Sequence, residues 1–185
     1  NPLPNVTIGG NTEVCEGSSA ILVANGASTY HWSNGVTGSV NTVNTFGIYS
    51  VTGYSAQGCS NTASVTVMVY PLPVVNISGD TELCSGETTA LTANGADTYL
   101  WNNGTNGAVL TTGLPGTYTV IATNAQGCSA TASTYVTVNP LPNITISGNT
   151  AVCQGNTTTL VANGAQSYQW NTGSTNAAIS VGSAG

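Results

Sequence analysis

Not one lysine or arginine occurs among the 185 residues, and the only fixed charges are six aspartates and glutamates, for a net charge of −6. Charged residues make up 3% of the chain, against about 25% in an ordinary soluble domain. Without cations there is nothing to neutralise phosphate, which excludes nucleic acid as a partner. An anionic membrane surface would repel the chain as well. Salt bridges, arginine clamps and phosphate-binding lysines are excluded with them, and trypsin has no site to cut. Disorder is also excluded, because 40% of the residues are hydrophobic and such a chain can bury enough apolar surface to fold.

Long apolar runs are missing too. No stretch approaches the roughly 20 apolar residues of a membrane span. The first residues lack the basic and apolar regions of a signal peptide, so the sequence is expected to begin inside a longer, processed protein. Cysteine is the exception to this sparseness. Five cysteines in fixed relative positions suit an oxidising compartment better than the cytosol, and the expected location is secreted or on the cell surface.

What the sequence does contain is a repeat. Pro2-Leu3-Pro4 returns as Pro71-Leu72-Pro73 and Pro140-Leu141-Pro142; Cys15 returns as Cys84 and Cys153; Trp32 returns as Trp101 and Trp170. Each step is 69 residues with no insertion, and a fixed period denotes an array of like modules. The expected units are 1–70, 71–139 and 140–185, the third cut before its last two strands. Gly185 aligns with Gly47 and Gly116, so the missing strands are expected either from continuation of the chain, the favoured case, or from another chain.

Between these marks apolar residues alternate with a period of two, the pattern of strands. Ala63, Val65, Val67 and Val69 fall on one face, and Thr134, Val136 and Val138 repeat that phase. Leu22, Leu91 and Leu160 share one position, followed on the same face by Ala24, Ala93 and Ala162. No helix of useful length is expected. Six or seven short strands with turn signals every 8 to 12 residues describe an all-β sandwich. Tyr-x-Trp at Tyr30 fits a strand whose Trp packs between two sheets. The run from Gly113 to Tyr118 fits a corner where a Tyr hydroxyl bonds back to the chain. Trp32, Trp101, Trp170, Tyr49 and Tyr118 are therefore the expected core aromatics.

Cys-x-Gly at Cys84, Trp-x-x-Gly at Trp101, Gly-x-Tyr at Gly116 and Ala-x-Gly-Cys at Ala125 together resemble the immunoglobulin-like and PKD-like repeats of large secreted and surface proteins of Bacteroidota, gliding-motility adhesins included. The likeness covers essentially the whole chain. The aspartate-rich turn of PKD repeats is absent after Trp32, where Ser33-Asn34-Gly35 stands, so the plainer immunoglobulin-like group is the nearer match. The resemblance implies tandem sandwiches arranged end to end, a spacer or adhesive role and dedicated export; it names no ligand.

The cysteines allow two pairings. Within each unit, Cys15 could bond Cys59 and Cys84 could bond Cys128. In an immunoglobulin-like sandwich, however, these two positions lie at opposite poles, too far apart to bond. In a tandem array the alternative is Cys15 to Cys128, across the junction. Both remain open on the sequence, and Cys153 has no partner in either scheme. No Cys-x-x-Cys spacing for zinc or redox chemistry occurs.

Comparing copies also bears on chemistry. His31 becomes Leu100 and Gln169; Glu13 and Glu82 become Ala151; Glu16 becomes Ser85 and Gln154; Asp80 replaces Asn11 and Asn149; Glu87 and Asp97 belong to the second copy alone. Paired carboxylates for acid–base work and clustered oxygens for calcium are not provided. The expectation is no enzyme, no cofactor and no metal. Five Asn-x-Ser/Thr sequons, at Asn5, Asn76, Asn103, Asn143 and Asn156, are acceptor sequences of the kind a surface protein carries.

The junction sequence Tyr70-Pro71-Leu72-Pro73 is short, and proline favours extended geometry. Each unit should add roughly 30–40 Å at about 3.3 Å per residue, giving a stiff rod. The expected function is a structural segment of an extracellular stalk, giant adhesin or surface filament. A carbohydrate-binding array attached to a secreted polysaccharide-degrading enzyme is the alternative, and exposure or burial of Trp101 separates the two. Expected partners are further copies of the repeat, lateral or end-to-end assemblies of it, and surface glycans.

Overall fold

The structure, a computed structural model, describes residues 2–182, and among them there is no helix. The first unit has seven strands: β1 (Thr7–Gly10), β2 (Glu13–Cys15), β3 (Ala20–Asn25), β4 (Thr29–Trp32), β5 (Val40–Val43), β6 (Gly47–Tyr54) and β7 (Ser60–Tyr70). They form two sheets, ordered β1-β3-β5 and β2-β7-β6-β4. The chain changes sheet at each step from β3 to β6, the connectivity of an immunoglobulin-like sandwich. All neighbours are antiparallel except β2 and β7, which run parallel with Cys15 opposite Tyr70.

The second unit repeats this element for element: β8 (Asn76–Ser78), β9 (Glu82–Cys84), β10 (Thr89–Asn94), β11 (Thr98–Trp101), β12 (Val109–Thr112), β13 (Gly116–Thr123) and β14 (Ser129–Asn139). Its sheets are β12-β10-β8 and β11-β13-β14-β9. Here β9 lies parallel to β14, with Cys84 opposite Asn139.

Alternation sets what is buried. In β3 the side chains of Ala20, Leu22 and Ala24 face inward while Ile21 and Asn25 are exposed. Val51 of β6 and Val67 of β7 meet them from the other sheet, and Trp32 closes the cluster. Leu91, Ala93, Trp101, Leu110, Val120 and Val136 do the same in the second unit. Burying a Val or Leu side chain fully contributes about 1.5–3 kcal/mol, so each sandwich rests on a few such residues.

The recurring Asn-Gly-Ala turn has a steric cause. Gly95 has φ +107°, and a Cβ there would overlap the carbonyl oxygen of Val74. Gly26 and Gly164 press against Asn5 and Asn143 in the same way. Only glycine lets the turn after the second inner strand pass this close to the first.

One buried polar residue breaks the apolar pattern. Asn41 is fully buried where the second copy has Leu110, and it exchanges two amide hydrogen bonds with Asn34, of 3.1 and 3.2 Å. Reciprocal bonding satisfies an amide that would otherwise destabilise the core.

The third unit is described through one sheet, β15 (Thr145–Ser147), β16 (Thr157–Asn163) and β17 (Ala178–Gly182), ordered β15-β16-β17. Trp170 does not become a core residue here. It stays half-exposed beside Ile144, Ile146, Ala162 and Tyr168, around an open apolar hollow. The physical reason is that, among the described residues, no second sheet packs against β15-β16-β17 to cover the ring. The expected cut at Gly185 itself falls outside the described residues.

Candidate functional site

The feature that distinguishes this chain from a plain pair of sandwiches is the contact between the first unit and the second. Its parts come from ordinary strand and turn chemistry. Parallel pairing of β2 with β7 carries Cys15 to the end of the unit from which the linker departs, and the Glu16 N–H donates to the Tyr70 carbonyl at 2.8 Å. On the other side, the turn between β13 and β14 is closed by Asn124 N–H to the Cys128 carbonyl, 2.9 Å. The Asn124 side-chain oxygen accepts the N–H groups of Gln126 at 3.2 Å and Cys128 at 2.9 Å. Its amide nitrogen donates to the Pro71 carbonyl at 3.1 Å. One asparagine thus shapes the turn and ties it to the linker.

Across this contact Cys15 is disulfide-bonded to Cys128, with Cα atoms 5.5 Å apart. Cys128 is fully buried and its sulfur lies 4.0 Å from the Tyr70 carbonyl oxygen. The bond closes a span of 113 residues.

The within-unit pairings, Cys15 to Cys59 and Cys84 to Cys128, do not occur. Cys15 stands beside the last residue of β7, and Cys59 immediately precedes its first. Eleven residues of strand separate them, roughly 36 Å at about 3.3 Å per residue, whereas a disulfide needs Cα atoms about 4.4–6.8 Å apart. Cys84 and Cys128 are related to β14 in the same way. Cys84 and Cys153 are exposed thiols, and Cys84 holds against Asn139 the register that Cys15 holds against Tyr70. The Cys84 N–H donates to the Glu87 carboxylate at 2.8 Å.

The aromatic residues serve packing. Trp32 is 4% exposed and Trp101 1%, and each indole N–H is satisfied inside its own unit, by the Gly38 carbonyl at 3.0 Å and the Gly107 carbonyl at 3.1 Å. Rings so placed cannot stack on a sugar. Trp170, half-exposed, donates to Asn176 at 2.8 Å. Tyr49 and Tyr118 are not interior residues but half-buried ones at the rim of each core. Their hydroxyls donate back to the carbonyls of Thr45 at 3.1 Å and Leu114 at 3.0 Å and also meet Thr45 and Thr112 Oγ1. A phenol needs such a partner, which holds it at the sandwich end.

A second set of tyrosine bonds was missed in the sequence. Tyr30, Tyr99 and Tyr168 each donate to the carbonyl and accept from the N–H of the alanine three residues earlier, Ala27, Ala96 and Ala165. The alanine of Asn-Gly-Ala at a constant offset before Tyr-x-Trp was the available signal.

The polar candidates are scattered. His31 is exposed on β4 and meets the Tyr54 ring edge-on, with centroids 5.7 Å apart. All six carboxylates are exposed, and no three metal-binding side chains cluster among the described residues. All five sequon asparagines are exposed as well.

No protein-family profile matches the chain, and no curated protein matches it in sequence. Solved structures similar in part include murine CEACAM1b, at 13% identity and TM-score 0.36, over 73% of this chain and 100% of that one. Another comes from a study of how a 1.5-MDa bacterial ice-binding adhesin is retained at the host cell surface; it has 15% identity and TM-score 0.34, over 89% of this chain and 77% of that one. Likenesses this distant say nothing of what the present chain binds.

Proposed function

We propose that the chain is a structural segment of an extracellular stalk, giant adhesin or surface filament, of the immunoglobulin-like repeat type found in Bacteroidota surface proteins. The observation that carries this reading is the Cys15–Cys128 bond, which joins one unit to the next. The disulfide present among the described residues connects modules. What recurs at 69 residues is glycine, proline, tryptophan, tyrosine and cysteine, the residues of turns, cores and joints; the reactive side chains do not recur. A disulfide of this kind persists in oxidising surroundings, which supports an extracellular location.

Burial of Trp32 and Trp101 counts against a carbohydrate-binding array, because the repeated aromatic rings are withdrawn from solvent. Electron microscopy of purified chains tests the stalk reading: particles should lengthen by roughly 30–40 Å for every added repeat, as strands of ordinary rise require. Compact particles, or saturable retention on a polysaccharide column that is lost when exposed aromatics are replaced, would favour the binding-module reading instead.

A further inference from the structure

We infer that the Cys15–Cys128 bond makes a nearly inextensible tension line through the first two units, taking the chain between the two cysteines out of the path of force. The inference rests on the stalk reading, since it concerns a chain pulled along its length. Force entering before Cys15 crosses the disulfide and leaves from Cys128. The 113-residue separation places β3 through β13, Trp32, Trp101 and the Pro71–Pro73 linker in the bypassed loop, while Val6, Val14 and Val136 of the two cores stand on the loaded segments.

The loaded segments are already straight. Thr7 pairs with Asn25 at the far end of β3 and Cys15 with Tyr70 at the end of β7, so β1 and β2 together run once from pole to pole of the first unit. β14 begins directly after Cys128 and ends at Asn139 opposite Cys84, so it runs once from pole to pole of the second. Force is carried by the first edge of one sandwich and the last strand of the next, linked by the disulfide. Strands stand at about 3.3 Å per residue, close to the limit of a fully extended chain. Pulling therefore gains almost no length from either unit, and the contour between Cys15 and Cys128 stays locked even if a core opens under load.

Had the cysteines bonded within units, the force would have to pass through the linker and two separate 44-residue loops would be shielded. The cross-junction bond shields one continuous loop instead, which gives the experiment its resolution.

Single-molecule pulling on the whole 185-residue chain, tethered at both ends, tests this with and without dithiothreitol. Reduction by thiol–disulfide exchange should add roughly 370–410 Å of contour, the extended length of 113 residues at about 3.3–3.6 Å each. Cys84→Ser should leave the oxidised trace unchanged, and Cys128→Ser should match the reduced trace. The inference is overturned by equal contour in both states, or by two added steps of about 145–160 Å, the mark of 44-residue loops. A locked contour in chains that scatter as collapsed particles would uphold the tension line and sink the stalk reading. Extended particles with an unlocked contour would do the reverse.

Discussion

Cys15 of the first unit and Cys128 of the second are bonded across the junction, 113 residues apart in sequence and 5.5 Å apart at their Cα atoms. Each reaches that point because a strand delivers it there: β2 ends at Cys15, and β14 starts one residue after Cys128.

The connectivity can be read chemically. Trypsin is useless here, but a glutamate-specific protease cuts after Glu13, Glu16, Glu82 and Glu87. Without reductant, the short fragment carrying Cys15 should travel with the long fragment carrying Cys128 and separate from it on reduction. Recovery of Cys15 on a fragment with Cys59 would overturn the pairing.

Reduction should also lower stability. Closing a loop of about 100 residues contributes up to about 4.7 kcal/mol in the chain-entropy picture. Urea unfolding followed by tryptophan fluorescence should shift to lower denaturant in dithiothreitol, with the two complete units losing their common transition. An unchanged midpoint would mean that the bond does not couple them.

Trp101→Ala should destabilise the second unit by about 3–5 kcal/mol, the usual cost of emptying a large core site. Trp170→Ala should cost far less, because its ring is only partly buried. Emission spectra give a second readout, since removing Trp170 should delete the reddest component. Equal destabilisation by the two variants would contradict the difference in burial.

Gly95→Ala should be more harmful than its size suggests. The residue sits at φ +107° with the Val74 carbonyl where a Cβ would stand, so the turn must move off β8 (Asn76–Ser78). A loss of about 1–3 kcal/mol from the backbone conformation alone is expected, read as a lower melting temperature. A neutral substitution would show that the turn relaxes freely.

Tyr118→Phe removes the hydroxyl that bonds the Leu114 carbonyl while keeping the ring on the core. About 1 kcal/mol should be lost, and Tyr49→Phe in the first unit should behave alike.

Several of these features were legible without coordinates, for local reasons. Alternation along β3 and β7 follows from the two-residue period of a strand, so Leu22, Ala24, Val65 and Val67 could be placed on an inner face from spacing alone. Trp101 could be assigned to the interior because it recurs amid strand patterns. Trp170 recurs equally well but is half-exposed, since burial depends on what lies opposite and not on the ring's own neighbours in sequence. Asn41 was hidden for a similar reason: its inward position reads as leucine or isoleucine in the other copies, and only the facing Asn34 amide makes an asparagine tolerable there.

The sequence by itself determined the 69-residue period, the strand character of each segment and the scarcity of groups able to do chemistry, because these depend on composition and near-neighbour spacing. The tertiary structure alone decided which cysteine meets which. Two half-cystines bond according to where their strands end in space, and the eleven residues of β7 hold Cys15 and Cys59 at opposite ends of one unit while the turn after β13 brings Cys128 to Cys15 from the next.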